Sequence, residues 1–576
     1  MKKLSLIAFS LLMMWSCKEK PTQQPDLSSS NQSMYYGGEI LTMEGDTPTY
    51  VEAVVQQDGK IIFVGSKEEA LKRYEQTAKQ VDLEGKTMLP AFLDAHGHFF
   101  NVGFASLCAN LLPAPDGPGK NFESIISTMN DYKNSEDGKY MTQKMGWIIG
   151  SGYDDSQLDE KDHLKAADLD KISTEIPIVI THQSGHLASM NSKALALMNI
   201  TKTTKDPEGG VIRRDKDGNP NGVLEEAAFF NIIMPLLGKM DDEVAMTCIK
   251  KGQDEYARNG YLTAQDGRTT GEQLTALKAG ANNAAFYIDI VAYPDVTVGE
   301  ENIAKGEYSP SHSYKNKFRV GGVKLTLDGS PQGKTAWLTK CYHVNPVGRS
   351  GCYEGYAVMD DDKATEYVKM AFKNKWQILC HSNGDAAIGQ YIRAVEAAEK
   401  DFGYPDHRTV LIHGQTLRKD QIPDLARLGI YASLFPMHTF YWGDWHKESV
   451  LGATRAEYIS PCRDVLDAGI VLTSHHDAPV TMPNSMRVLD ATVNRITRTG
   501  QILGADQRLT PYEGLKTLTA WAAQQYFEED SKGSIAKGKL ADFVILDKNP
   551  LTIASLDINK IQVLEAIKEG QSVFKK

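Results

Sequence analysis

At both ends of the chain, apolar and polar positions alternate at short range, which marks strands rather than helices. Ala53-Val54-Val55-Gln56-Gln57 and Lys60-Ile61-Ile62-Phe63-Val64-Gly65 flank Asp58-Gly59, a residue pair suited to a hairpin turn. Near the C-terminus, residues 541–546, 563–567 and 570–574 repeat the pattern. Two β-rich ends around a long middle predict one composite β-sandwich, with residues 34–86 and 533–576 contributed by opposite ends of the chain.

Between those ends, residues 87–532 alternate short apolar runs with helical intervals, the rhythm of a (β/α)8 TIM-like barrel in the α/β class. Eight strands are expected at 88–93, 261–265, 286–292, 319–327, 376–380, 409–412, 430–434 and 470–473, with helices such as 364–373, 386–400 and 419–428 between them. Roughly 150 residues separate the first two strands, far more than a barrel connection needs. Residues 99–245 therefore read as an inserted α+β subdomain, with strand-like pieces at 147–150 and 178–180 and a hairpin at 210–220. It leaves from the strand end where active-site loops emerge, a position suited to a lid.

The 576-residue length is too great for one ordinary core, in keeping with a barrel plus smaller units. Composition changes the picture little: 41% hydrophobic and 24% charged residues describe a folded, soluble protein. The net charge of −11, with no compensating basic run, argues against a nucleic-acid partner. At the N-terminus, Lys2 and Lys3 precede the apolar run 4–14, which is too short to span a bilayer and suits a signal peptide. It ends at Met14-Trp15-Ser16-Cys17, which resembles a lipoprotein cleavage site. Residues 1–17 then form a lipoprotein signal peptide and 18–33 a Pro/Gln/Ser-rich tether, giving an exported protein held to the cell envelope only by lipid on Cys17. Six further cysteines form no C-x-x-C pair. Export makes disulfides possible, with Cys341 and Cys352 the closest pair, but burial as small packing residues is the favoured role for the six.

The candidate chemistry sits at strand ends. Asp94-Ala95-His96-Gly97-His98 follows the first barrel strand, and H-x-H on extended chain turns both imidazoles the same way. Three later strands lead into His381, into His413 and into His475-His476-Asp477. In a βα barrel such strand ends meet at one mouth, where a metal centre is expected. In 321–328 the alternation puts Val323, Leu325 and Leu327 on one face and Lys324, Thr326 and Asp328 on the other, so Lys324 points into the barrel. Burial disfavours an inward ammonium. The lysine is either carbamylated by CO₂ into a metal-bridging carboxylate, or stays an ammonium that pairs with Asp328 or holds an anionic substrate.

Asp94-Ala95-His96-Gly97-His98, Val323-Lys324-Leu325, 381–385, His413 and Asp477-Ala478-Pro479, together with 533–547, resemble the amidohydrolase superfamily. The likeness is to its family 3 branch of YtcJ-like and N-substituted formamide deformylase-like proteins, over about residues 34–576. It implies one or two divalent metals, usually zinc. His96, His98 and Asp477 would hold one ion, His381 and His413 the other, with Lys324 between them and Asp477 as general base. Two departures stand out. His475 and His476 precede Asp477, where Ser-Asp is usual; the choices are an extra metal ligand or, preferred, support of a ligand or substrate contact. In the insertion, 181–186 reads Thr-His-Gln-Ser-Gly-His, retaining His186 as a candidate substrate contact but lacking the family's Asp. His438, in the aromatic loop 435–445, and Asp328 complete the substrate-binding candidates; that loop suits an apolar substituent or simply packs on the barrel. The reading is a metal-dependent hydrolase of amide, N-acyl or N-formyl groups in a small molecule. A deaminase or lactonase on the same scaffold, or a non-catalytic binding lipoprotein, are the alternatives, and a homodimer is left open.

Overall fold

The computed structural model describes residues 31–185, 187–207, 210–238, 240–305, 310–346 and 349–576. The signal-like segment, Cys17 and His186 lie outside the described residues.

Nine parallel strand segments carry the centre of the fold. β1 (Phe92–Leu93), β2 (Tyr261–Thr269), β3 (Asp289–Pro294) and β4 (Phe318–Val320) form one sheet in spatial order β4-β3-β2-β1. β5 (Gly322–Thr326), β6 (Gln377–Ser382), β7 (Val410–His413), β8 (Tyr431–Leu434) and β9 (Leu472–Ser474) form the second, in chain order. A bridge between Asp295 and Lys324 joins the sheets on one side. On the other, Asp477 N–H donates to the His96 carbonyl (3.1 Å) and His98 N–H to that of Ala478 (2.8 Å). The fold is mixed α/β and TIM-barrel-like.

Helices cover the outer strand faces, so the outward residues are apolar throughout. Val323, Leu325, Ile378, Cys380, Leu411 and Ala432 pack with residues of helices Asp361–Lys373 and Asp385–Phe402. Leu93, Val291, Tyr293, Leu379 and Ile412 instead gather with Ala522 and Tyr526 in a separate cluster.

Three predicted strands differ in detail. The expected strand 88–93 is two strands: Thr87–Pro90 pairs with Phe543–Leu546 in the sheet of the chain ends, and β1 begins only at Phe92. Pro90 has no N–H to continue the ladder, and Ala91 N–H donates to Asp542 O as the chain passes from one sheet to the other. The run 319–327 is broken at Gly321 into β4 and β5. A Cβ there would lie 2.6 Å from the Tyr293 ring, so the close crossing requires glycine. The strand expected at 286–292 begins at Asp289, because the amides of Tyr287 and Ile288 are taken by Gln253 Oε1 instead of a neighbouring strand.

Strands from both chain ends share one sheet. Thr87–Pro90 lies between Gln32–Leu41 and Phe543–Leu546, so the first and last thirds of the sheet meet at its centre. The insertion carries its own sheet of six short strands, from Ala109–Asn110 to Pro220–Glu226. It touches the central unit through Gln183 Nε2, which donates to Val480 O at 3.0 Å, and through Arg498, which donates to Gln157 Oε1 at 3.3 Å. Cysteine packing needs one correction: Cys341 and Cys352 form a disulfide, while Cys108, Cys248, Cys380 and Cys462 are buried thiols as expected. Eleven residues apart in a loop between strands, the pair had no periodic pattern to show that their side chains face each other. Among the described residues, no helix is long and apolar enough to cross a membrane.

Candidate metal centre

Asp94 organises the turn after β1. Its carboxylate accepts the backbone N–H groups of His96 and Gln265, both at 3.1 Å, and burial raises its pKa to about 7. Held by that turn, the two histidines converge on one carboxylate oxygen. His98 Nε2 lies 3.1 Å from Asp477 Oδ1, and His96 Nε2 lies 3.4 Å from the same atom. Asp477 itself has a left-handed backbone, φ 54°, fixed by the hydrogen bond from its N–H to His96 O. The chain accepts a conformation unusual for a non-glycine residue where the carboxylate must meet both rings.

Lys324 reaches the same point from β5. Its Nζ is 3.1 Å from His96 Nε2, the residue is only 2% exposed, and burial lowers its pKa to about 8. The other two strand-end histidines form the opposite wall. His381 Nδ1 and His413 Nε2 are 3.0 Å apart, and His413 Nδ1 is 3.9 Å from Asp477 Oδ2. The cluster thus brings His96, His98, Lys324, His381, His413 and Asp477 together from β1, β5, β6, β7 and the loop after β9.

Burial holds His96 and His413 well below the usual imidazole range, and neighbouring cations and imidazoles add to the effect. Neutral imidazoles present lone pairs. For His96 the lone pair is assigned: Gln265 Oε1 sits 2.6 Å from Nδ1 and, as an acceptor, requires the proton there. Nε2 is left to face Asp477 and Lys324. Ligand atoms of His96, His413 and Asp477 all fall within 4.8 Å of one another. Neutral imidazole nitrogens and a carboxylate around one point suit a divalent cation, with Gln265 supporting the first ligand from behind.

Asp328 lies beside the cluster, its Oδ1 3.6 Å from His381 Nε2, and the other described candidates lie behind it or in the aromatic loop. Asp328 is fully enclosed; its oxygens accept the N–H groups of Asn383 (2.9 Å), Gly384 (2.7 Å) and Trp337 (3.0 Å), and burial raises its pKa to about 7. It fastens the loops around His381 and makes no contact with Lys324 of the kind expected from an ion pair. His476 is buried behind Asp94, with Nε2 3.2 Å from Asp94 Oδ1 and Tyr256 and Tyr261 against its ring. His438 faces His446 across 3.0 Å and packs on Phe435, which in turn stacks on His475. The aromatic loop is thus largely packed on itself.

Sequence reasoning missed Gln265, whose role no motif announces, and left His475 open. It also missed a second cluster in the insertion. His182 Nε2 lies 2.9 Å from Asp155 Oδ1 and 3.6 Å from Asp154 Oδ1. Burial opposes the imidazolium there, but the two carboxylates prevail and raise its pKa to about 9.

The amidohydrolase family model matches residues 79–574. YtcJ of Bacillus subtilis (strain 168) is 26% identical over 561 residues, covering 95% of this chain and all of its own. The N-substituted formamide deformylase of Arthrobacter pascens is 24% identical over 538 residues, 90% of this chain and 94% of that protein. Among solved structures, an uncharacterised metal-dependent hydrolase from Pyrococcus horikoshii superposes with a TM-score of 0.72 at 24% identity, covering 91% of this chain and 99% of that one.

Proposed function

The chain belongs to the amidohydrolase family, and from that premise we propose that it hydrolyses a non-peptide C–N bond, an amide, N-acyl or N-formyl group of a small molecule, at a divalent metal centre of one or two zinc ions. The observation that carries this reading is the meeting of His96 Nε2 and His98 Nε2 on Asp477 Oδ1, within 3.4 Å, beside a buried lysine amine. His96, His98 and Asp477 would hold one ion and His381 and His413 a second. Lys324 would bridge them as a carbamate. CO₂ adds to the neutral amine, an N–C bond forms and one proton leaves; burial favours that neutral amine.

A divalent metal held by these residues would supply Lewis-acid chemistry, making the carbonyl more electrophilic and water more acidic. Asp477 takes the proton of the attacking water on its carboxylate and passes it to the leaving nitrogen. Oxygen joins the carbonyl carbon as the C–N bond breaks, and a carboxylic acid and an amine result. The other parts of the reading are a closed (β/α)8 barrel, a sandwich of the chain ends and an inserted lid. The contact of Gln183 with Val480, three residues beyond Asp477, supports the lid. We also read the protein as exported and lipid-anchored through Cys17, to which the Cys341–Cys352 disulfide lends support, since such bonds persist in oxidising compartments.

The test is elemental analysis of purified protein, followed by a panel of N-formyl amines, N-acyl amines, simple amides and lactones. Turnover of a C–N member is expected. Metal-loaded protein that hydrolyses no member of the panel would refute the reading.

A further inference from the structure

Around His413 the hydrogen bonds form a line. Ser433 Oγ lies 2.9 Å from His475 Nδ1, His475 Nε2 lies 3.1 Å from His413 Nδ1, and His413 Nε2 lies 3.0 Å from His381 Nδ1. At the far end, His381 Nε2 is 3.2 Å from Gly329 O. The same Nε2 also lies 3.1 Å from the Asn383 amide Nδ2, which can only donate, so these neighbours do not fix the His381 proton. His413 has two neutral tautomers with opposite consequences. With the proton on Nε2 it points a donor at His381 Nδ1; with the proton on Nδ1 it donates to His475 and leaves the Nε2 lone pair to a metal.

We infer that His475 is a positioning residue that selects the second tautomer of His413. Its Nε2 accepts the His413 Nδ1 proton, and its own Nδ1–H is passed to the Ser433 hydroxyl. The inference rests on the metal reading proposed above, and it concerns how one ligand is prepared. Three observations support it. His475 and Ser433 are each fully buried, so no solvent competes for the pair. The His475 ring is held in plane by Phe435, 4.9 Å away at 27°. Among the described residues, Asp477 Oδ2 is the other acceptor near His413 Nδ1, and at 3.9 Å it is beyond hydrogen-bond reach. Histidines that bind metals nearly always donate their second ring N–H in this way, and losing the acceptor costs roughly 10–100-fold in affinity.

Zinc affinity and stoichiometry, measured on the full chain by chelator competition and elemental analysis, test the inference without any activity assay. His475→Phe keeps the ring but removes the acceptor, and should weaken one bound zinc roughly 10–100-fold. His475→Gln replaces the acceptor with its amide oxygen and should restore affinity to within about threefold of wild type, a rescue that loss of packing would not produce. A melting curve for each variant separates misfolding from loss of metal. Wild-type zinc affinity in a folded His475→Phe protein overturns the inference alone. Wild-type protein that takes up no zinc at all overturns the metal reading first, and the inference with it.

Discussion

Replacing Gln265 by Leu probes the metal centre without touching a ligand. The side chain makes three polar contacts: Oε1 with His96 Nδ1 at 2.6 Å, and Nε2 with Ala95 O at 3.0 Å and Tyr526 Oη at 2.8 Å. Two of the partners keep another bond in the variant. Ala95 O still accepts from Gln525 Nε2 at 2.8 Å, and the Tyr526 hydroxyl still donates to Asp94 O. Only the His96 Nδ1 proton is orphaned. Leaving one buried donor unsatisfied costs about 1–3 kcal/mol, and Leu is close enough in size to Gln to leave no large cavity. The ring can avoid that cost by moving its proton to Nε2, but it then loses the lone pair that faces Asp477. The expected result is a destabilisation of about 1–3 kcal/mol in denaturant unfolding of the metal-free protein. Zinc affinity should fall by roughly 10–100-fold. Gln265→Glu, which restores an acceptor, should recover zinc affinity. A Leu variant that binds zinc as tightly as wild type would show that His96 does not depend on Gln265 for its tautomer, and the argument for the neutral, Nε2-presenting His96 would fail.

Asp477→Asn should reduce kcat by about 10²–10⁴-fold while the melting temperature stays near wild type, since it removes the proton carrier from a loop still held by backbone hydrogen bonds; wild-type-like turnover would exclude the role. Lys324→Ala should lower metal content, with partial recovery on adding a short carboxylate; unchanged metal content would favour the plain ammonium. The His182 cluster makes stability depend on pH. Its folded pKa is raised from 6.5 to about 9, so its stabilisation is complete below pH 6.5 and lost as pH rises through 9. Unfolding free energy should fall by roughly 3 kcal/mol across that window, and His182→Leu should flatten the slope; an identical slope in the variant would remove His182 as its source.

Much of the fold can be read along the chain, because strands and helices are periodic. Tyr261, Gln377, Val410, Tyr431 and Leu472 each open a strand within two residues of where the apolar runs begin. The chemistry is legible for a related reason. His381, His413 and Asp477 are polar residues at or just after the end of an apolar strand, and a parallel barrel carries such ends to one mouth. The alternation around Lys324 likewise anticipates an inward amine, since side chains on a strand must alternate between faces.

What the chain could not announce is pairing between distant segments. Gln265 supports a histidine 169 positions away, and His475 meets His413 across 62. Both contacts depend on how separate strands stand in register across the sheets, which no local pattern records. Asp328 shows the limit from the other side: its inward position follows from alternation, yet three loop amides from Trp337, Asn383 and Gly384 claim its oxygens. The passage between sheets at Ala91 was equally hidden, because it depends on how two separate units approach, and the disulfide was hidden because an irregular loop has no period to show which side chains face each other. Sequence by itself determined the elements and the set of ligand-type residues, through periodicity and residue chemistry. Tertiary structure alone decided which of them touch, because that depends on distances between segments far apart in the chain.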